Sequence, residues 1–290
     1  MYTMRPAEFT YHRPLSLDEA VGLLDEDTRP LAGGHSLIPL LKFRLSRPRA
    51  LVDLGGIEGL GGISENGGGL TIGALATHTA VVDSELVQSK CPVLAETVTQ
   101  VGDVQVRNRG TIGGSVAHAD PSADYPTVLK ALGATVTATG SNGERQIAAD
   151  DLFVGIFTTS LGPRELITSV SVPSTESGTG AAYVKHRHPA SFYAVVGVAA
   201  VVTVESGACT RARVTVGGVT SPPVHATAAC EALVGGPGSA EAIAAAAAKV
   251  PEAIPNATSD SYASGEYRTH LAEVLAGRAL ALAFERAGSG

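Results

Sequence analysis

The chain has 290 residues, 44% of them hydrophobic, and a formal net charge of −7. That is enough apolar material for two domains or one large subdivided one, so disorder is not the default, and the acidic balance argues against a nucleic-acid or anionic-membrane partner. Three scattered cysteines (Cys91, Cys209 and Cys230) form no CxxC pair, so this chain is expected to carry neither a disulfide framework nor an iron–sulfur or zinc site, and a reduced, cytoplasmic setting is expected.

Taken in chain order, the opening segment lacks the continuous apolar stretch of a secretory signal. Ser16 followed by Glu19 is a capping box and predicts a helix from about Leu17. "RPLAGG" reads as a strand ending in a glycine loop, "SLIPLLKFRL" as the helix after it, and Ala50–Leu54 as a second strand. A hairpin turns at Asn66–Gly69, and the stretch from His78 to Gly102 has helical periodicity. "RNRGTIGGSVAHADPSADYP" is a second glycine loop feeding a helix from about Ala123. A hairpin around Ser141–Glu144 and an alternating strand closed by Pro173 follow.

Ser174–Gly180 is a small, polar linker. Beyond it come "AAYVKHRH" and a long hairpin turning near Glu205–Ala208, then helical stretches near His225–Leu233, Ala240–Val250 and Glu266–Arg286. The longest apolar run, Ala194–Val202, falls far short of the roughly 20 residues of a membrane span. We expect a domain of residues 1–175, itself divided into about 1–57 and 58–175, and a C-terminal domain of 176–290.

Two glycine loops thus stand between strand-like or turn-like segments and helices. Such a loop can aim successive N–H groups at a phosphate, and the missing Cβ atoms let it approach. Two of them suit a pyrophosphate. The chain has no Gly-Lys dipeptide for a P-loop and no GxGxxG after a strand for a Rossmann fold. His186 and His188 form an HxH on a predicted strand, but no cysteine or carboxylate cluster lies nearby, so no metal site is expected. Neither GxSxG nor HExxH occurs.

"AGGHSLIPLLKFRL" and "TIGGSVAHADPSADYP" resemble the two flavin-binding signatures of the FAD-binding medium subunits of aerobic carbon monoxide dehydrogenases, within the xanthine dehydrogenase family of molybdenum hydroxylases. "FTYHRPLSLDEAVGLL", "ELITSVSVP" and "ASGEYRTHLAEVLAGRALALA" extend the resemblance over nearly the whole chain. It implies an α+β fold, with a PCMH-type FAD-binding domain of two α/β subdomains and a smaller C-terminal domain of antiparallel sheet and helices. Carried over residue by residue, Ala32, Gly33, Gly34, His35 and Ser36 form the first FAD loop, and Thr111, Ile112, Gly113, Gly114 and Ser115 the second. Ser115 stands where the family often has asparagine. Asp124 matches an acidic residue that holds FAD hydroxyls, Ile167 a flavin contact, Lys185 a lysine near the flavin, and Tyr193 a tyrosine lying over the ring.

The resemblance further implies the electron-transfer subunit of an oxidoreductase, with no general acid or base on this chain. Its partners would be a small subunit bearing 2Fe-2S clusters and a large subunit bearing the molybdopterin cofactor, in a dimer of three-chain units with an external electron acceptor. Two other readings stay open from the residues: a stand-alone FAD-dependent oxidase or reductase, and a non-catalytic nucleotide-binding assembly module.

Overall fold

A computed structural model describes residues 4–288, so the first three residues of the opening segment and the last two of the chain lie outside the described part. The first unit comprises β1 (Thr10–His12), α1 (Leu17–Gly22), β2 (Thr28–Leu31), α2 (Leu37–Lys42) and β3 (Ala50–Asp53). Its sheet is parallel in the order β1-β3-β2. The predicted capping box forms one residue out of register: Ser16 accepts from Glu19 N at 3.2 Å, while Glu19 reaches back to Leu15 N at 3.1 Å. The buried central strand packs Val52 on Ala20, Val21 and Leu24 of the α1 segment.

The second unit begins with β4 (Ile63–Asn66) and β5 (Gly69–Gly73), followed by six helices: α3 (His78–Asp83), α4 (Glu85–Lys90), α5 (Pro92–Thr99), α6 (Val104–Arg109), α7 (Ile112–His118) and α8 (Asp124–Leu132). It ends with β6 (Thr135–Gly140), β7 (Gly143–Ala148), α9 (Ala149–Leu152), the short pair β8 (Phe153–Gly155) and β9 (Thr158–Thr159), and β10 (Glu165–Pro173). The main sheet is antiparallel in the order β4-β5-β10-β6-β7. Two expectations need correcting. The helical stretch after His78 is three helices, because Ser84 caps a new one at Val87 N and Pro92 opens another. The second glycine loop is itself largely helical, since Thr111 caps α7 and Asp103 caps α6.

Four antiparallel strands form the third sheet: β11 (Thr179–Arg187), β12 (Ala194–Glu205), β13 (Ala208–Gly217) and β14 (Val224–His225). Behind them lie α10 (Thr227–Glu231), α11 (Ala240–Ala247) and the long α12 (Gly265–Gly288). One face of this sheet packs on α12, whose Ala272, Ala276, Ala279 and Ala283 are fully buried. The other face packs on α8, every residue of which is buried, as a helix sandwiched between layers must be.

Arg268 of α12, 4% exposed, ties these parts together. Its Nη1 donates to the carbonyls of Val195 (2.7 Å) and Gly218 (2.9 Å), and its Nη2 pairs with Asp260. Arg268→Ala orphans two buried carbonyls and is expected to lower stability by about 2–4 kcal/mol. A urea titration should show the midpoint falling with the slope unchanged.

Candidate functional site

The first glycine loop leaves the sheet at the end of β2. Gly34 sits at φ +76°, a conformation that L side chains rarely adopt, and its carbonyl accepts from Ile38 N at 2.9 Å to open α2. The N–H groups of Gly34, His35 and Ser36 bond to no acceptor among the described residues. His35 Nδ1 lies 3.3 Å from Gly33 O.

The second loop is built differently. Ile112 N donates to Ala76 O (3.0 Å), Gly113 N to Ala74 O (2.9 Å), Gly114 N to Thr111 Oγ1 (3.1 Å) and Ser115 N to Thr111 O (3.0 Å). The amides from Ile112 to Ser115 are therefore spent on anchoring. Gly113 has no Cβ because one would lie 2.7 Å from Ala74 O. A run of unbonded N–H groups, as expected of both loops, is thus found only in the first; the second presents the Thr111 and Ser115 hydroxyls and Gly114.

The loops touch. A Cβ on Gly33 would overlap Arg109 O and lie 2.8 Å from Gly110 Cα. Beside this junction runs a cleft of about 500 Å³, within the size range of small-molecule and cofactor pockets. Of the residues singled out from the sequence, Ala32, Gly33, Gly34, His35, Ser36, Thr111, Gly114, Ser115, Asp124 and Tyr193 line it. Ile112, Gly113, Ile167 and Lys185 do not. Ile112 is fully buried, and Ile167 is a core residue of β10 paired with Ala138 of β6.

Lys185 lies behind the wall, its side chain wholly buried. Its Nζ donates to both Asp124 carboxylate oxygens (2.8 and 3.0 Å) and to Gln100 O (2.9 Å), while Tyr183 Oη donates to Asp124 at 2.6 Å. Burial pushes the Asp124 carboxyl up, and the Lys185 ammonium acts against that. Tyr193, just before β12, lines the cleft together with Ser36, and burial raises its phenol.

Sequence reasoning missed several cleft residues. His78 carries no local signal; a bridge between Thr77 and Thr111 brings it to the second loop. His118 stacks on Phe157 at 5.0 Å between ring centroids, and both face the cleft, as do Asp120 and Arg29. The two histidines of the HxH part company: His186 stays in β11, and His188 lies past its end, accepting from Ala190 N at 3.2 Å.

Free amides, hydroxyls and missing side chains at the meeting point of two loops, beside a deep cleft, fit a phosphorylated cofactor. The fold and this site define a dinucleotide-binding protein of neither Rossmann nor P-loop type. The family described as "FAD binding domain in molybdopterin dehydrogenase" matches residues 7–175, and "CO dehydrogenase flavoprotein C-terminal domain" matches residues 181–283. The carbon monoxide dehydrogenase medium chain of Afipia carboxidovorans is 41% identical, over 98% of this chain and 99% of its own. The 6-hydroxypseudooxynicotine dehydrogenase complex subunit alpha of Paenarthrobacter nicotinovorans is 39% identical, over 98% and 97%. Among solved structures, a chain of the cyanide-inactivated Cu,Mo-CO dehydrogenase superposes with a TM-score of 0.93 at 40% identity, covering 97% of this chain and 99% of that one. Quinoline 2-oxidoreductase from Pseudomonas putida 86 gives 0.91 at 34% identity, covering 98% and 99%.

The chain belongs to the FAD-binding medium-chain family of the molybdopterin dehydrogenases. It is an electron-transferring flavoprotein subunit of an oxidoreductase, and FAD is its cofactor. Among the described residues no helix is long and apolar enough to cross a membrane, and no cluster of three or more His, Cys, Asp or Glu could hold a metal.

Proposed function

We propose that FAD lies in the cleft with its pyrophosphate at the junction of the two glycine loops. The observation that carries this reading is the set of unbonded amides at Gly34, His35 and Ser36, beside a second loop whose amides from Ile112 to Ser115 are all bonded within the chain. Ala32 and Gly33 complete the first wall; Thr111, Gly114 and Ser115 supply the second. Asp124, fixed by Tyr183 and Lys185, offers its free lone pairs to cofactor hydroxyls. Tyr193 covers the ring. Ile112, Gly113, Ile167 and Lys185 support these groups from behind. When bound, FAD supplies one- and two-electron redox chemistry; the chain supplies binding, orientation and exclusion of water.

The division of labour follows from the relatives. Their names span carbon monoxide, nicotine-derived and glyceraldehyde dehydrogenases, although the medium chains align end to end. Substrate choice therefore belongs to a partner, a large subunit with molybdopterin, and a small subunit with 2Fe-2S clusters supplies the electrons. We assign the chain to a dimer of such three-chain units, in the cytoplasm, delivering electrons to an external acceptor. Residues 1–175 form the FAD-binding domain, with subdomains of about 1–57 and 58–175, and residues 176–290 the C-terminal one. The test compares the isolated subunit with the whole complex. Substrate should bleach the flavin in the complex and leave the lone subunit yellow; equal turnover by the lone subunit would end the relay reading.

Acid precipitation is expected to release all the FAD into the supernatant, because the site is built on paired glycine loops and the sequence shows no convincing Cys or His attachment motif. Colour retained in the pellet would mean a covalent link.

A further inference from the structure

His78 is 4% exposed, yet it lines the cleft. Its backbone N–H donates to Gly110 O at 2.9 Å, which fixes its Cα against the residue that opens the second loop. Gly110 makes room for the ring: a Cβ there would lie 2.6 Å from His78 Nε2 and 2.8 Å from Cδ2. Gly110 in turn is the residue against which Gly33 packs. The three form a stack, first loop on second loop on imidazole, and Nε2 lies at the point where the loops converge.

The other ring nitrogen is committed. His78 Nδ1 lies 3.2 Å from Tyr125 Oη, and Tyr125 is fully buried with no other side-chain partner among the described residues. Burial lowers the His78 pKa to about 4 and raises the Tyr125 phenol, so the imidazole is neutral and the phenol keeps its proton. A neutral imidazole has one N–H and one lone pair. Were the N–H on Nδ1, it would donate to Tyr125 Oη and the phenol proton would be buried with no acceptor, a costly arrangement. With the N–H on Nε2, Tyr125 donates to Nδ1 and both groups are satisfied. Nε2–H then has no acceptor within the described residues, and it belongs to a residue that lines the cleft beside Gly110.

We propose that His78 is a further cofactor-binding residue, donating its Nε2–H to an oxygen of the FAD pyrophosphate, and that Tyr125 is the positioning residue that sets the tautomer. This rests on the reading that FAD occupies the cleft. The carrier is the geometry of the Gly33–Gly110–His78 stack, which ties Nε2 to the glycine junction rather than to the flavin end near Tyr193. A hydrogen bond to a phosphate is worth enough to change affinity roughly tenfold or more.

The test uses the full chain stripped of flavin, with FAD, ADP and riboflavin as probes in separate titrations. ADP carries the pyrophosphate without the flavin; riboflavin is the reverse. His78→Ala should weaken FAD and ADP roughly tenfold while leaving riboflavin unchanged, and His78→Gln, which keeps an N–H donor, should recover most of the loss. Tyr125→Phe should weaken FAD and ADP by a smaller factor. The ¹⁵N shifts of His78 should show Nε2 protonated in the wild type, and Tyr125→Phe should mix the two tautomers. Unchanged FAD affinity in folded His78→Ala, equal losses for ADP and riboflavin, or an Nδ1–H tautomer would each overturn the proposal. The ¹⁵N reading needs no substitution and so decides even if a variant fails to fold. A wild type that binds none of the three probes would instead remove the underlying reading of the cleft.

Discussion

Lys185→Met is expected to destabilise the chain by about 3–5 kcal/mol, the usual cost of leaving one member of a buried ion pair alone. The Lys185 ammonium is wholly buried and serves Asp124 and Gln100 at once. Removing it strands a carboxylate that is itself only 4% exposed. Adding Asp124→Asn should restore most of the loss, because the amide oxygen still accepts from Tyr183 and no charge remains to be compensated. Urea midpoints of the two single variants and the double variant give the coupling directly. A Lys185→Met midpoint close to wild type would show that water reaches Asp124. The pair also joins α8 to β11, so its loss should loosen the wall on which the cleft is built.

The second large effect concerns Gly33→Val. The added Cβ meets Arg109 O and Gly110 Cα, both backbone atoms that cannot swing aside. The first loop must then lift off the second, at a cost of about 1–3 kcal/mol of stability. Affinity for FAD should fall by more than roughly a hundredfold, since two or more hydrogen bonds to charged phosphate are lost together. The ratio of flavin to protein in the purified variant reports the outcome. Full occupancy in a folded Gly33→Val protein would show that loop contact is dispensable. The steric partner is the chain itself, where the sequence alone suggested the phosphate.

Local rules account for what could be read in advance. The capping box at Ser16 and Glu19, the hairpin turns near Asn66–Gly69 and Glu205–Ala208, and the alternating "ELITSVSVP" depend on neighbours a few residues apart, and each appears in the fold. The glycines of "TIGG" misled because glycine weakens an isolated helix. Here the Thr111 cap and the bonds to Ala74 and Ala76 outweigh that cost and make α7. The pairing of Asp124 with Lys185, and the approach of His78 to Gly110, join residues far apart in the chain, and no periodicity encodes either. The resemblance sets Lys185 and Ile167 at the flavin, whereas in the fold neither lines the cleft: Lys185 is buried against Asp124, and Ile167 sits in the core of β10.

The two loops are unequally constructed. One half of the site is finished by the chain alone, with every amide from Ile112 to Ser115 already spent. The other half, at Gly34, His35 and Ser36, leaves its N–H groups without an acceptor among the described residues. One side of the cleft is thus fixed by the chain's own backbone bonds, and the other keeps its donors for what binds there.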